Sequence, residues 1–438
     1  MSGKCGDTSL AKGIVIAAPR SGSGKTVVTL GLLAALRRQG VVVAPAKTGP
    51  DYIDPTFLGR AALRDAVNLD PWSMAPRRIK QLAAMQATGA DLLLVEGVMG
   101  LFDGAADGFG STADLAELLE LPVVMVVDAD RQSQSVAPLV AGFANWRVGV
   151  RVAGVILNRV ASTKHERMLV DALAATGIPC LGAIPRNPAL VLPERHLGLV
   201  LPGEVSAFSG FLDEAATALG DYVDLARFRA IAAPLADSET GTTGLAPLGQ
   251  RIAIARDDAF AFAYPHLLDG WRAMGAELSF FSPLADEAPA ADADAVFLPG
   301  GYPELHGATL AAASAFKAGL LATRDRNALI YGECGGFMVL GEALVDKSGT
   351  SHAMAGLLPV TTRIDRPKRI LGYRRLVQSG DLPWPSHLNG HEFHYSSAKQ
   401  SRLPPLFTAT DARGDAMPPM GAVIGRVMGS YAHVVDRG

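Results

Sequence analysis

Two stretches of the chain set reactive side chains where a backbone turn can present them. In Ala328-Leu-Ile-Tyr-Gly-Glu-Cys-Gly-Gly-Phe-Met-Val-Leu340, one of only three cysteines stands among glycines, with an apolar run before it and another after. Strand, Gly-x-Cys-x-Gly, helix is the pattern of a nucleophile elbow. Gly332 and Gly336 permit a sharp turn, Cys334 stands at its tip, and the backbone N–H of Gly335 can face an oxyanion. A cysteine nucleophile needs a base. Among nine histidines, His433 lies in Gly429-Ser-Tyr-Ala-His-Val434, while His391 and His394 lie in Gly390-His-Glu-Phe-His-Tyr395. Spacing does not choose between them. His391 and His394 lack further obvious ligands, so the pair is not read as a metal site.

The second stretch is Pro19-Arg-Ser-Gly-Ser-Gly-Lys-Thr26, which follows an apolar run and precedes good helix formers through Arg38. It is close to the phosphate loop G-x-x-x-x-G-K-[ST], with Pro19 where the first glycine is expected. Small residues such as Ser23 and Gly24 let backbone N–H groups approach phosphate, and a helix N-terminus adds positive potential. Lys25 adds a point charge, and the Thr26 hydroxyl can hold Mg²⁺. Acids to complete a phosphoryl-transfer site stand in two later segments. Lys47-Thr-Gly-Pro-Asp-Tyr-Ile-Asp-Pro55 brings Lys47, Asp51 and Asp54, and Val95-Glu-Gly-Val-Met-Gly-Leu-Phe-Asp-Gly104 brings Glu96 and Asp103. Single acids in Gly/Pro-rich loops usually cap turns; four at neighbouring strand ends beside a phosphate loop point to a metal-assisted site. Asn158, after another apolar run, can read an adenine edge or cap a turn. Pro193-Glu-Arg-His-Leu-Gly-Leu199 clusters charge within apolar sequence, and a solvated loop is the plain alternative for it.

Positioning these groups requires parallel strands whose carboxyl ends converge. Apolar runs recur at Gly13–Ala18, Gly40–Ala44, Asp91–Val95, Pro122–Val127 and Val152–Leu157 with helical segments between them, the signature of a doubly wound α/β sheet. Residues 231–250 are rich in Pro, Gly, Ser and Thr without sustained periodicity. They divide the chain into a domain carrying the phosphate loop over 1–231, a linker over 232–249 and a second α/β domain over 250–438. In the second domain, strands are expected at Arg251–Ala255, Ala295–Leu298 and Ala328–Tyr331, and the region 356–394 reads as strands and loops.

With 438 residues, 49% hydrophobic and 19% charged, and 47 glycines, the composition is that of a soluble α/β protein rich in tight turns. A formal charge of −3 with both signs interspersed gives no basic field for nucleic acid and no polybasic membrane anchor. Cys5, Cys180 and Cys334 are too few and scattered for a disulfide framework. No basic-then-apolar signal opens the chain, and charge or proline breaks every long apolar stretch, so a cytoplasmic protein acting on small molecules is expected.

The segments SGSGKT, KTGPDYIDP, VEGVMGLFDG, PERHLGL, LPGGYPE, YGECGGF, GHEFHYS and GSYAHV, in that order, resemble the cobyrinic and hydrogenobyrinic acid a,c-diamide synthase family. The resemblance runs over nearly the whole chain. It implies a dethiobiotin-synthetase-like ATP domain joined to a class I glutamine amidotransferase domain, with Mg²⁺ as cofactor and ATP as co-substrate. On this resemblance Cys334 attacks glutamine with His433 as base, and Gly300 and Gly301 join Gly335 at the oxyanion. Ser23, Gly24, Lys25, Thr26 and Asn158 hold the nucleotide, while Thr26, Asp51 and Glu96 hold the metal. The reacting carboxylate and its acyl phosphate fall to Lys47, Asp54 and Asp103, and the corrinoid macrocycle between the domains to Tyr52, Arg195, His196 and Tyr373. The implied reaction amidates the a and c acetates through acyl phosphates. A related macrocycle, with other corrin carboxylates or a nickel-sirohydrochlorin, is the alternative, ahead of a non-catalytic nucleotide-binding protein. One departure stands out: the His-x-Glu of the wider amidotransferase pattern would need a carboxylate at Val435, so something else, such as a backbone carbonyl, must orient His433. Whether the ring carries cobalt, and whether the protein is a homodimer, is left open by these residues.

Overall fold

A computed structural model describes residues 11–192, 208–236, 244–400 and 403–438. Contacts divide the chain into two compact units, Met1–Gly104 with Gly108–Thr242, and Ala105–Asp107 with Thr243–Gly438. Each is α/β.

In the first unit seven parallel strands, β1 (Lys12–Ala17), β2 (Val43–Thr48), β3 (Val67–Leu69), β4 (Leu92–Glu96), β5 (Val123–Asp128), β6 (Val152–Val160) and β7 (Cys180–Pro185), lie in the order β3-β2-β4-β1-β5-β6-β7. Burial on both faces explains why β1, β4 and β5 read as unbroken apolar runs. β3 and β7 were not among the expected runs, since one is three residues long and the other holds Cys, Gly and Pro. β2 begins and ends later than expected because it runs through Pro45. That proline lies one residue before pairing with β3 starts at Ala46, so its missing N–H removes no bond on that side. The connection that leaves β1 runs to β2 on one side, and the one that leaves β4 crosses β1 to reach β5 on the other. Such a switch gathers loops at the carboxyl ends of the central strands. Inside the stretch read as a linker, β8 (Ala233–Pro234) pairs antiparallel with β1, with Lys12 opposite Pro234 and Gly13 opposite Ala233. The Leu235 N–H then donates to the Ala11 carbonyl at 2.9 Å.

The second unit is built on a six-stranded sheet in which β9 (Arg251–Ala255), β10 (Glu277–Phe281), β11 (Ala295–Leu298) and β12 (Leu329–Glu333) are parallel in the order β10-β9-β11-β12. Val427–Ser430 extends it in parallel beside β12, and Ala422–Ile424 closes it antiparallel. Phe297 and Tyr331 stack across β11 and β12 with ring centroids 5.8 Å apart, and Trp271 packs edge-on to Phe297. This aromatic layer sets the ends of β11 and β12 side by side. Two four-stranded sheets complete the unit. One is an antiparallel set of Phe407–Thr410, Ile370–Gln378, His387–His394 and His433–Arg437.

Candidate active sites

In the first unit the helix Lys25–Arg38 starts directly after the loop that follows β1. Gly22 and Gly24 adopt positive φ, 79° and 92°, which glycine takes without steric cost. The loop opens on a cleft of about 420 Å³ lined by Gly24, Lys25, Thr26, Lys47, Asp51, Asp54, Glu96 and Arg159, among others.

Its floor is a buried charge cluster. Lys47, at the carboxyl end of β2, donates to Asp54 and, at 3.0 Å, to Glu96 Oε1. The Thr26 hydroxyl donates to the same Glu96 oxygen at 2.7 Å. Glu96 is 0% exposed, and burial pushes its carboxyl up despite the Lys47 charge. Asp51, pushed up to about 7 by burial and by the Asp54 charge, accepts from the Ile53 and Asp54 N–H groups. Burial holds Lys25 down at about 8, with Lys47 adding repulsion, while its ammonium donates to the Met99 carbonyl. Two buried acceptors, Glu96 Oε2 and Asp54 Oδ1, take no hydrogen bond. Unsatisfied carboxylate oxygens beside a threonine hydroxyl fit a divalent cation. Among the described residues no group of three or more His, Cys, Asp or Glu side chains is placed to hold a metal ion, so phosphate oxygens and water would complete its shell.

The other expected residues stand around and behind this cleft. Asp103 is exposed, accepts from the Gly100 N–H at 2.8 Å in the turn-capping use of an aspartate, and its charge acts on Lys25 in the cleft. Asn158, expected to read adenine or cap a turn, donates its amide to the Ser23 carbonyl at 2.9 Å and braces the phosphate loop. Ser23 is buried beneath that loop. Tyr52 is buried between Asp51 and the helix Asp54–Ala62. Arg195 and His196 lie outside the described residues. Sequence reading missed Arg159, which lines the cleft, adopts φ 60° and donates to the Gly22 carbonyl at 3.0 Å and to Asp128 at 2.8 Å. Arg20 shares Asp128 at 3.3 Å. The available signal was an aspartate closing the apolar run of β5 and an arginine closing that of β6.

In the second unit β12 ends at Glu333, and Cys334 turns the chain into the helix Gly335–Leu340 with φ 47° and ψ −104°. Non-glycine residues rarely adopt this backbone, and it is held here by neighbours: the Cys334 N–H donates to the Ser430 carbonyl at 2.8 Å, and the Gly336 N–H to the Pro299 carbonyl at 3.1 Å. His433 opens the strand His433–Arg437 and is 0% exposed. Gly300 lies between the two reactive groups. A Cβ built there would fall 2.2 Å from His433 Cε1, 2.9 Å from Nε2 and 3.3 Å from Cys334 Cβ, so the Cε1–Nε2 edge of the imidazole and the Cys334 side chain both adjoin Gly300. A Cβ on Gly335 would fall 3.0 Å from the Gly301 backbone N, which sets the Gly301 and Gly335 backbones side by side.

Burial dominates the proton affinities. It pushes the Cys334 thiol up, with Glu304, Glu333 and Glu392 acting the same way and the Gly335 N–H opposing, and it pushes His433 well down. A neutral thiol beside a neutral imidazole is the resting state these shifts favour. At the far edge of the ring, where Val435 offers no carboxylate, Glu333 Oε2 lies 3.8 Å from His433 Nδ1. A side-chain carboxyl therefore faces that nitrogen. Of the other expected residues, His391 pairs through its backbone with His433, and burial lowers it to about 3. His394 is bound to Glu392 at 2.8 Å and stacks on Tyr431. Tyr373 lies edge-on to His391, with ring centroids 5.4 Å apart.

Comparison with known proteins agrees with both halves of this description. Residues 14–200 match the CobQ/CobB/MinD/ParA nucleotide binding domain, and residues 251–437 match the CobB/CobQ-like glutamine amidotransferase domain. The chain is 54% identical over 429 residues to a hydrogenobyrinate a,c-diamide synthase of Brucella abortus, covering 97% of this chain and 98% of the relative. It is 52% identical over 427 residues to one of Sinorhizobium sp (97% and 98%) and 48% identical over 438 residues to one of Mesorhizobium japonicum (98% and 99%).

Proposed function

The chain belongs to the hydrogenobyrinate a,c-diamide synthase family, and we propose that it converts the a and c acetates of metal-free hydrogenobyrinate to amides, using glutamine and ATP. The observation that carries this reading is identity of 54% sustained over 97% of the chain, across both the phosphate loop and the cysteine elbow. It is a glutamine-hydrolysing, ATP-dependent amidoligase of cobalamin biosynthesis.

In the second unit Cys334 passes its proton to His433 and attacks the glutamine side-chain amide. The tetrahedral oxyanion faces backbone N–H groups of Gly301 and Gly335, with Gly300 leaving room for the imidazole. His433 returns the proton to the departing nitrogen as ammonia leaves, and water then cleaves the thioester to glutamate.

In the first unit the acetate carboxylate attacks the γ-phosphate of ATP to give an acyl phosphate and ADP, and ammonia displaces phosphate to give the amide. Gly22, Gly24 and Lys25 hold the phosphates, and Lys25 offsets the charge that develops on the transferred group. Thr26 and Glu96, with Asp51 and Asp54 nearby, would hold Mg²⁺, which would supply neutralisation of the phosphate charge. Lys47 keeps Asp54 and Glu96 oriented, since it bonds both from beneath. Arg159 steadies the loop and offers its guanidinium to a phosphate or to the incoming carboxylate. ATP and glutamine are supplied inside the cell, so the reaction is assigned to the cytoplasm.

The test is mass spectrometry after incubation of the purified protein with MgATP, glutamine and either hydrogenobyrinic or cobyrinic acid. Each conversion exchanges OH for NH₂, so the product mass reports whether one carboxyl or two reacted. Diamidation of hydrogenobyrinic acid in preference to the cobalt-bearing ring is expected. Equal or better use of cobyrinic acid would overturn the metal-free assignment, and ATP hydrolysis with neither ring amidated would redirect the search to another polycarboxylate macrocycle.

A further inference from the structure

We propose that Glu333, the residue immediately before the nucleophile, is the positioning carboxylate of His433 and completes a Cys334–His433–Glu333 triad from the amino-terminal side of the elbow. The inference rests on the glutaminase reading of Cys334 and His433. Its basis is geometric. Glu333 is the last residue of β12, buried, and its Oε1 is gripped by two donors, the Tyr331 hydroxyl at 2.9 Å and the Val434 N–H at 3.0 Å. These bonds leave Oε2 directed at His433 Nδ1, 3.8 Å away. The Val434 donor belongs to the residue that follows His433, so one carboxyl group binds the strand carrying the imidazole and faces the imidazole itself.

The opposite edge of the ring supplies the second half of the argument. Cε1 and Nε2 of His433 converge with Cys334 Cβ on the Cβ position of Gly300. For Nε2, on the edge that adjoins Gly300 and Cys334, to accept the thiol proton, the imidazole must carry its own proton on Nδ1, and the Glu333 carboxyl facing Nδ1 favours that tautomer when ionised. The spacing is an ion-pair distance that tightens to a hydrogen bond as the imidazolium forms, since catalytic contacts are often long before substrate binds. Burial makes that ion costly, because it already pushes His433 well below its ordinary range. The Glu333 carboxyl offsets that cost in its ionised form, which burial shifts to pH near and above about 8. Triads are defined by such geometry and not by chain order, so a residue one position before the nucleophile can fill the role taken elsewhere by His-x-Glu.

Other titratable groups face this pair and are held constant by the choice of substitution. His391 and His394 face His433, Tyr331 faces Glu333, and Glu304 and Glu392 face Cys334. Glu333→Gln keeps the shape and an acceptor for Tyr331 and Val434 while removing the charge. The expected result is a fall in kcat for glutamine hydrolysis of about 100-fold or more with KM for glutamine little changed. Glu333→Asp is expected to recover part of the loss. The rate of Cys334 alkylation by iodoacetamide, followed against pH, should show its inflection displaced upward in Glu333→Gln, because the thiolate–imidazolium pair loses its third member. Wild-type kcat and an unshifted alkylation profile in Glu333→Gln would overturn the triad. Should that variant fail to fold, Tyr331→Phe removes one grip on Oε1 and is expected to lower kcat several-fold; an unchanged rate there would equally count against the proposal. Loss of the underlying reading is separable, since it would appear as wild-type protein that does not hydrolyse glutamine or as Cys334→Ala that still does.

Discussion

Gly300→Ala is the sharpest perturbation of the glutaminase site, because the added atom and its neighbours are all specified. The new Cβ would lie 2.2 Å from His433 Cε1, where ordinary contact begins at 3.4 Å, so the imidazole must retreat by about 1.2 Å. Nothing near it yields easily: the ring is fully buried, its strand is paired with His387–His394, and the Gly300 carbonyl is fixed by the Phe262 N–H at 2.9 Å. Misplacement of a catalytic group by about 1 Å costs roughly 100-fold in rate, and overpacking of this kind destabilises by about 1–3 kcal/mol. Glutamine-supported amidation should therefore drop by about two orders of magnitude, while amidation supported by ammonium at high pH persists. Both rates can be read from ADP release by a coupled assay, with thermal unfolding measured alongside. Glutamine-supported turnover within twofold of wild type would refute the reasoning, since it would mean that His433 does not need the position described or is not the base.

The other expectations follow from the same geometry. Glu96→Gln leaves Lys47 and Thr26 without their shared carboxylate and should lower ATP-dependent amidation from glutamine and from ammonium alike by about 100-fold, with Mg²⁺ titration showing weaker activation. Asn158→Ala removes the bond to the Ser23 carbonyl, worth about 1 kcal/mol, and should raise KM for ATP several-fold with a smaller change in kcat. Glu333, pushed up to about 8 from an ordinary 4.5 by burial, binds its proton more tightly folded than unfolded. Its stabilising contribution is therefore full below about pH 4.5 and is lost as pH rises through about 8. The difference in Tm between wild type and Glu333→Gln should move in favour of the glutamine variant over that window, and a pH-independent difference would contradict the shift.

The doubly wound architecture was legible because parallel strands buried on both faces write themselves as apolar runs, as β1, β4 and β5 do. The short β3 and the Pro45 passage of β2 carry too few apolar residues to announce themselves. At the sites, the elbow and the phosphate loop were readable from glycine spacing, which is a local constraint. What escaped is non-local: the Asp128–Arg159 pair joins two strand ends, and Glu333 meets His433 across about a hundred residues of sequence. Asn158 belongs with these, since its amide reaches the Ser23 carbonyl 135 residues away, whereas Asp103 caps its own turn at Gly100.

The antiparallel return of Ala233–Pro234 to β1 bears on how the first unit can be produced alone. Composition invites a cut near residue 231, where the chain turns polar and proline-rich. A fragment ending there would lose the partner of Lys12 and Gly13 together with the Leu235 to Ala11 bond, baring the start of the central strand that leads into the phosphate loop. Exposed strand backbone recruits other chains, so such a fragment should aggregate and bind nucleotide poorly, whereas one carried past Leu235 keeps the strand covered.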